Sequence, residues 1–295
     1  MKHLQNAPSR ILSASKPDRF LIEPLVHVAL LEDLAHGGDV TTDAIVPAEL
    51  QATARIVARR NGVIAGLDAA LLAFELLQPG STTIAVLVDD GGAVAPGTAV
   101  AQLEGPARVL LTGERTMLNL LCRLSGIASA TRKLVDAVAG TRAQVIDTRK
   151  TTPGLRILEK YAVRCGGGGN HRFGLDDAVL IKDNHLALAG SIHEAVARVR
   201  ERNGHMLKVE VEVDTLEQLR EALREPIDAV LLDNMEPATL QEAVRIVNGT
   251  VLTEASGGVR PETIAAIAQS GVDLISVGWL THSAPALDLG LDIAL

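Results

Sequence analysis

Polar and charged residues recur through the second half of the chain, each group standing at the end of a short apolar run. Between these runs the apolar residues have helical spacing, as in residues 192–199. Strands that alternate with helices form a parallel sheet, and their carboxyl ends lie on one side of it. We therefore expect the polar groups to meet on one rim and form a site. The predicted strands are residues 144–147, 179–181, 207–213, 229–232, 250–253 and 274–277.

Two carboxylates on this rim are candidate metal ligands. Glu212 and Asp233 are separated by one strand–helix unit, which predicts positions on neighbouring strands about 4.8 Å apart. Close carboxylates repel unless a cation neutralises them, and hard oxygen ligands suit Mg²⁺ bound jointly with a substrate phosphate. Solvated surface charge is the alternative interpretation. Glu210 lies on the same strand face, and a structural role is open for it.

A small glycine turn is a candidate phosphate site. Ser256-Gly257-Gly258 stands between a predicted strand and a helix expected to begin near Pro261, and Gly278 ends the next strand. Glycines let backbone N–H groups approach a phosphate, and late barrel strands often supply that site. A tight connection that binds no ligand has the same pattern. Gly278 on the next strand is the observation that favours a phosphate site.

The basic residues are concentrated in one segment. The chain has a net charge of −8, which argues against nucleic acid or an anionic membrane as partner. Residues 142–182 nevertheless carry eight Lys or Arg and four acids, a local excess that suggests a small anionic ligand. Four consecutive glycines, costly to order, precede His171 and Arg172 there. With Arg149 this loop could present guanidinium groups to carboxylates.

Composition bounds the class of protein. The chain has 295 residues, which favours about two domains, and no apolar run long enough to span a membrane. Its two cysteines, Cys122 and Cys165, fit neither a CxxC nor a zinc pattern, which favours a reducing compartment. Residues 1–19 lack a signal-peptide pattern and are predicted to be a poorly ordered terminus. We expect a cytoplasmic enzyme.

The first part of the chain predicts a separate α+β domain. Residues 21–34 and 67–77 have helical patterns, residues 52–60 alternate as a strand, and a long helix is expected from about residue 113 to 138. Residues 81–107 have the paired glycine turns of a lipoyl-carrier hairpin but contain no lysine, which excludes a carrier. For the second part a barrel is favoured, with an open doubly wound sheet as the alternative.

Several segments, in order from about residue 20 to the end, resemble the signatures of the quinolinate phosphoribosyltransferase family. The central one reads Asp147-Thr-Arg-Lys-Thr-Thr-Pro-Gly-Leu-Arg156. The others are residues 113–116, 123–127, 159–168, 170–172, 181–185, 209–213, 232–235, 254–258 and 280–283. One residue departs from the pattern: Trp279 is bulkier than the small residue expected after Gly278.

The resemblance implies an α/β fold in which an N-terminal α+β open sandwich domain (residues 20–126) precedes a C-terminal incomplete α/β (TIM-like) barrel (127–284). The tail, residues 285–295, would pack back on the first domain. It also implies a homodimer or larger homo-oligomer. The activity would be transfer of phosphoribose from phosphoribosyl pyrophosphate to quinolinate, yielding nicotinate mononucleotide, pyrophosphate and CO₂ in de novo NAD biosynthesis, with Mg²⁺ as cofactor.

The same resemblance implies residue roles. The catalytic residues would be Lys150, Lys182, Glu212 and Asp233, of which Glu212 and Asp233 would bind Mg²⁺. Quinolinate would contact Arg149, Lys150, Thr151, His171, Arg172, Lys182 and, across the dimer interface, Arg115. Phosphoribosyl pyrophosphate would contact Lys150, Lys182, Ser256, Gly257, Gly258, Val277, Gly278 and His282.

Two other functions fit part of the pattern. One is a phosphoribosyltransferase that acts on nicotinate or another acidic heterocycle, although clustered Arg115, Arg149 and Arg172 favour a diacid. The other is a non-catalytic phosphosugar-binding barrel, which the charges at every strand end argue against. Comparing quinolinate with nicotinate as substrates separates the first, and any turnover excludes the second.

Overall fold

The computed structural model describes residues 15–34 and 36–294, so most of the predicted disordered terminus lies outside the described residues. The chain divides into two compact units. The first contains the chain up to Ala130, Thr152–Gly167 and Ala284 onward, and the second contains Thr131–Thr151 and Gly168–Ser283. Within the described ranges, no helix has both the length and the apolar character needed to cross a bilayer.

The first unit is built on an antiparallel sheet. Its strands, in the spatial order β12-β1-β5-β3, are β1 (Gln51–Ala58), β3 (Thr83–Val86), β5 (Ala99–Pro106) and β12 (Leu289–Ala294). A smaller sheet pairs β2 (Gly62–Val63) with β4 (Ala93–Val94). Alternate residues of β1 are buried, which is the pattern of a sheet with one face on the core. The chain's last strand, β12, pairs with β1.

Five helices contribute to this unit: α1 (Arg19–Leu34), α2 (Val40–Ile45), α3 (Leu67–Leu77), α4 (Ala107–Ala137, in this unit as far as Ala130) and α5 (Arg156–Cys165). The expected bounds of α3 are confirmed. The expected start of α4 is wrong by six residues, because Gly113 lies inside the helix. A Cβ at Gly113 would lie 2.8 Å from the ring of Phe74, so this glycine allows close packing rather than beginning the helix.

The second unit contains six parallel strands in the order β6-β11-β10-β9-β8-β7. Within this unit the last strand along the chain, β11, pairs with the first, β6. This is the cyclic strand order of a barrel, whereas the order of a doubly wound sheet reverses. Beyond β6 the glycine loop continues the edge, since Gly169 forms a parallel bridge with Ile146. The expected incomplete barrel is confirmed. The strands are β6 (Gln144–Ile146), β7 (Val179–Ile181), β8 (Val209–Val213), β9 (Ala229–Asp233), β10 (Leu252–Ser256) and β11 (Leu274–Ser276).

The helices between these strands follow their sequence signals closely. They are α6 (Asp183–Ala189), α7 (Ile192–Arg202), α8 (Leu216–Ala222), α9 (Pro237–Val247) and α10 (Ile264–Gln269). Thr215 and Gln218 form a capping box at the start of α8, and Pro237 is the first residue of α9. Pro261 does not begin a helix, because α10 starts three residues later. Strand β10 starts two residues later and ends three residues later than expected, which places Glu254 inside the strand.

Candidate active site

The predicted rim residues of the second unit stand at the carboxyl ends of its parallel strands, as the strand–helix alternation predicts. Lys182 follows β7, Asp233 ends β9 and Ser256 ends β10. Lys150 follows β6 within the same unit, and Gly278 follows β11. The sheet order therefore brings two lysines, carboxylates and glycines to one edge of one unit.

Two guanidinium groups lie near each other on this rim. The pKa of Arg172 is lowered, first because the side chain is partly buried and second because Arg149 places a like charge beside it. Arg172 donates one hydrogen bond, from Nη1 to the carbonyl of Ala178 at 2.8 Å. The buried Nε of Arg149 has no hydrogen-bond partner among the described residues. Paired cations with free donors in a partly buried place favour an anionic ligand between them.

The carboxylates Glu212 and Asp233 are on neighbouring strands, as expected, but they are not directly opposite. Glu212 pairs with Leu231 in the sheet register, and Asp233 lies two residues further along β9 on the same face. Glu212 accepts a hydrogen bond from Nζ of Lys182 at 3.1 Å. The pKa of Asp233 is raised, first by burial and then by the nearby charge of Asp214.

The Ser256-Gly257-Gly258 turn has backbone geometry that requires glycine. Gly257 and Gly258 have φ values of +91° and +60°. A Cβ at Gly257 would lie 2.1 Å from Oδ1 of Asn234 and 2.9 Å from its backbone nitrogen. At Gly258 a Cβ would meet no described atom within 4 Å, so the turn is open on that side. The helix expected immediately after it is replaced by a loop up to Ile264.

The neighbouring Gly278 turn packs closely against Lys150. A Cβ at Gly278 would lie 2.8 Å from Cδ of Lys150, and the hydroxyl of Thr281 donates to the Lys150 carbonyl at 2.9 Å. Trp279 does not disturb this turn, because its indole Nε1 donates to the carbonyl of Val259 at 3.0 Å. The bulky ring thus connects the Gly278 turn to the residue that follows Gly258.

The remaining predicted contact residues have varied surroundings. Val277 is buried, and its backbone N–H donates to Ile146 at 2.9 Å. Thr151 is half-buried, and His282 is exposed with its Nδ1 2.6 Å from the hydroxyl of Ser283. Arg115 is exposed on α4 in the first unit and forms no ion pair with any described residue.

The glycine loop is anchored by a residue that sequence analysis left without a role. Asp147, fully buried, accepts from the backbone N–H of His171 at 3.0 Å and from Nδ2 of Asn170 at 2.5 Å. In the Asp-Thr-Arg-Lys motif the sequence indicated roles for the two basic residues. The acid, Asp147, could be recognised from the sequence only as a residue at the end of a strand. Asp147 therefore fixes the backbone that carries His171 and Arg172.

His171 is held through both ring nitrogens. Its Nδ1 accepts the backbone N–H of Arg172 at 2.7 Å, and its Nε2 lies 3.1 Å from Oε2 of Glu210 and 3.7 Å from Oε2 of Glu254. Since Nδ1 is an acceptor, the ring proton belongs on Nε2 and is directed at the carboxylates. In this structure the two ring nitrogens of His171 are thus bound to protein, and its direct contact with quinolinate stays a prediction.

Glu210 and Glu254 form a buried pair of carboxyl groups below the rim. Each is largely removed from solvent, and each has one oxygen without a hydrogen-bond partner among the described residues. Burial and, next, the charge of Glu210 together raise the pKa of Glu254 to about 8, against the opposing effect of His171. Glu254 is therefore expected to hold a proton at neutral pH, as one of two close buried acids must.

The geometry argues against a metal ion among His171, Glu210 and Glu254, although their ligand atoms lie within 4.8 Å of one another. A metal on Nε2 would require the ring proton on Nδ1. That nitrogen accepts the Arg172 N–H and has no room for a proton. A shared proton neutralises the pair without breaking this hydrogen bond.

The Glu254 carboxyl group makes stability depend on pH. Its pKa in the folded protein is about 8, above the ordinary 4.5, so its stabilising contribution is complete below the unfolded value and is lost as pH rises through about 8. The melting temperature of wild type should therefore fall more steeply than that of Glu254→Gln between about pH 5 and about pH 9. Thermal unfolding of both proteins across that range is the measurement. Parallel curves would contradict the raised pKa.

These features define an α/β-barrel protein whose rim carries two neighbouring arginines, and comparison with known proteins identifies its family. Residues 39–125 match the N-terminal domain of quinolinate phosphoribosyl transferase, and residues 127–292 match the C-terminal domain of the same family. The chain belongs to the quinolinate phosphoribosyltransferase family.

Relatives agree over nearly the whole length. A nicotinate-nucleotide pyrophosphorylase [carboxylating] of Mycobacterium leprae is 50% identical over 269 residues, 90% of this chain and 94% of the relative. A tobacco protein named quinolinate phosphoribosyltransferase [decarboxylating] 2b, mitochondrial, is 40% identical over 290 residues, 92% of this chain and 82% of the relative. The solved nicotinate-nucleotide pyrophosphorylase of Francisella tularensis has a TM-score of 0.89 at 38% identity, covering 96% of this chain and 99% of that one.

Proposed function

We propose that this protein is a decarboxylating quinolinate phosphoribosyltransferase. It would convert quinolinate and phosphoribosyl pyrophosphate into nicotinate mononucleotide, pyrophosphate and CO₂, a step of de novo NAD biosynthesis. The observation that carries the proposal is the pair of cations Arg149 and Arg172, brought together on a rim that also bears an open glycine turn. The family and its relatives' names support the same reaction.

The two arginines would bind the two carboxylates of quinolinate. Each guanidinium is a planar fork that matches a carboxylate, and their mutual repulsion is relieved when an anion lies between them. Lys182 and Thr151 are placed in the same unit to add contacts. We call Arg149 and Arg172 the diacid clamp. His171 would act on this clamp through Arg172, since its own ring nitrogens are bound to protein.

The glycine turn would bind the 5-phosphate of phosphoribosyl pyrophosphate. Backbone N–H groups at Gly257 and Gly258 can approach an anion closely because no side chain intervenes. Val277 and Gly278 would border the same phosphate, and His282 would lie nearby. Lys150, packed against Gly278, would contact the pyrophosphate side together with Lys182.

Mg²⁺ fits the donor set at Asp233 and Glu212. Asp233 is crowded by the charge of Asp214, which raises its pKa and which a divalent cation would relieve. Glu212 also forms an ion pair with Lys182, so the protein alone offers few free oxygen ligands to a metal ion. This suits Mg²⁺, which usually takes one or two carboxylates, several waters and substrate phosphates. When bound, the ion would neutralise charge on the departing pyrophosphate.

The proposed chemistry depends on electrostatic support more than on a general base. The quinolinate ring nitrogen forms a bond to the anomeric carbon while the bond to pyrophosphate breaks, and Lys150 and Lys182 stabilise the leaving group. Glu212 and Asp233 would stabilise positive charge that develops on the ribose. The ring nitrogen, now cationic, stabilises the electron pair that stays on C2 when the 2-carboxylate departs as CO₂, and a proton from solvent then adds to C2 to complete the product.

We propose a homodimer in which Arg115 of one subunit contacts the quinolinate bound by the other subunit. Its side chain is exposed and has no ion pair with a described residue, which leaves it available to the quinolinate of a second subunit. A larger homo-oligomer built from such dimers would serve equally. We also propose a cytoplasmic location, because Cys122 and Cys165 are both free thiols.

The substrate is tested by comparing quinolinate with nicotinate at saturating phosphoribosyl pyrophosphate. Nicotinate lacks one carboxylate and would leave one arginine buried without a partner, which costs about 2–5 kcal/mol. The kcat/KM for quinolinate should therefore exceed that for nicotinate by at least about 30-fold. Equal or greater use of nicotinate would overturn the assignment of substrate in favour of a different acidic heterocycle.

The proposed metal makes a separate prediction. Activity should disappear in excess chelator and return when Mg²⁺ is added, because the pyrophosphate would lose its counter-charge. Asp233→Ala should raise the KM for phosphoribosyl pyrophosphate about tenfold or more while calorimetric affinity for quinolinate changes little. Glu217→Ala, an exposed acid on α8, is the matched control. Full activity in excess chelator would rule out the metal.

A further inference from the structure

Glu254 is a buried carboxyl residue that the proposed reaction does not use. Its side chain is 1% exposed, inside β10 rather than on the rim, so it cannot touch a substrate bound above. Burying a carboxyl group costs several kcal/mol unless it is hydrogen-bonded or neutralised. A well-packed apolar residue would avoid that cost, which suggests that Glu254 has a use beyond packing.

The contacts of Glu254 lead to the diacid clamp in three steps. Glu254 and Glu210 together surround Nε2 of His171, at 3.7 and 3.1 Å. The other ring nitrogen of His171 accepts the backbone N–H of Arg172. Arg172 is the cation that faces Arg149.

Arg172 needs support from its loop in addition to the hydrogen bond that its guanidinium group donates to the carbonyl of Ala178. Its neighbour Arg149 repels it, and its loop contains four glycines, which order at high entropic cost. Asp147 fixes the loop backbone from one side through the N–H of His171. The imidazole fixes the next N–H from the other side, provided that the ring is held in its rotamer.

We propose that Glu254 is a positioning residue for quinolinate: with Glu210 it locks the His171 ring, and through that ring it places Arg172 for a substrate carboxylate. This inference rests on the proposed function, since it gives a buried barrel residue a part in the specificity of the same site. Contacts made by residues behind a binding group determine how accurately that group is oriented.

The test compares three variants of the full-length enzyme. Glu254→Leu removes the carboxyl group that lies 3.7 Å from Nε2 of His171, with little change in volume. Glu254→Gln keeps the size and a polar oxygen beside Nε2, and its amide can donate to Glu210. Thr253→Val is the matched control, because Thr253 is the adjacent buried residue of β10 and its hydroxyl bonds Asp273 on the other face. Melting temperature and steady-state constants for both substrates are measured for each.

Glu254→Leu should raise the KM for quinolinate about ten- to hundredfold and leave the KM for phosphoribosyl pyrophosphate within about twofold. Glu254→Gln should restore quinolinate use to within a few-fold of wild type, and Thr253→Val should lower only the melting temperature. If Glu254→Leu folds and keeps the wild-type KM for quinolinate, or if both KM values rise together with the loss of stability, the positioning role is overturned.

Failure of the proposed function has a different signature. If wild type does not turn over quinolinate at all, the substrate assignment fails before any variant is compared. If Glu254→Leu is too unstable to assay, Glu254→Gln still tests the proposal through pH. Its amide keeps a polar group beside Nε2 of His171 and, unlike the carboxyl group, has no proton that leaves in this pH range. Its KM for quinolinate should therefore stay level to about pH 9 while that of wild type rises. The same rise in both proteins would overturn the role.

Discussion

Replacing Arg149 or Arg172 with alanine should weaken quinolinate binding by at least about 30-fold. Removing one partner of a desolvated charge pair costs about 2–5 kcal/mol, and about 1.4 kcal/mol is tenfold in affinity. Inorganic pyrophosphate binds elsewhere on the rim in this account, so its affinity should change little. Calorimetric titration of each variant with both ligands separates the two effects.

Two controls sharpen this prediction. Arg172→Lys keeps the charge but loses the planar fork, so its affinity should remain well below wild type. Arg198→Ala removes an exposed arginine that pairs with Glu194 in the same unit and should bind quinolinate normally. Unchanged quinolinate affinity in both Arg149→Ala and Arg172→Ala would reject the clamp.

Arg115→Ala and Lys182→Ala should each be nearly inactive alone and should restore activity when their subunits mix. The proposal places Arg115 in the partner's site and Lys182 in its own subunit's site. A mixed dimer then has one site with both lesions and one with neither. If half of the dimers are mixed, activity should return to about a quarter of wild type.

Subunit exchange must be measured in the same experiment, by native mass spectrometry of differently tagged variants. Arg132→Ala, an alteration of another arginine on α4, serves as control and should be active without mixing. If mixed dimers form and no activity returns, Arg115 acts within its own chain and the shared-site proposal is wrong.

The fold of the second unit was accessible from the sequence because its signals are local. Alternation of apolar strands and periodic helices is a property of neighbouring residues, and so is the capping box at Thr215. The rim followed from topology, since all parallel strands end on one side. Deviations occurred where tertiary contacts decide, as at Gly113, whose missing side chain makes room for Phe74.

The second layer of the site was not accessible in the same way. Glu254 was identified as a strand-end residue, but only the register of β10 shows that it is inside the sheet and buried. The contacts of His171 join residues from three separate segments, and no spacing along the chain predicts them. Sequence patterns predicted which residue types would contact the ligand. The residues that hold those side chains in place can be recognised only in the folded structure.

The proposed decarboxylating transfer of phosphoribose to quinolinate is tested most directly by measuring all of its products in one reaction mixture. Wild-type protein, Mg²⁺, phosphoribosyl pyrophosphate and quinolinate labelled at the 2-carboxylate are combined, and pyrophosphate, labelled CO₂ and nicotinate mononucleotide are measured together. We expect release of all three in equal amounts, dependent on quinolinate and at least about 30-fold slower with the Arg149→Ala protein when the quinolinate concentration is far below its KM. Pyrophosphate release without labelled CO₂, or no quinolinate-dependent product at all, would contradict it.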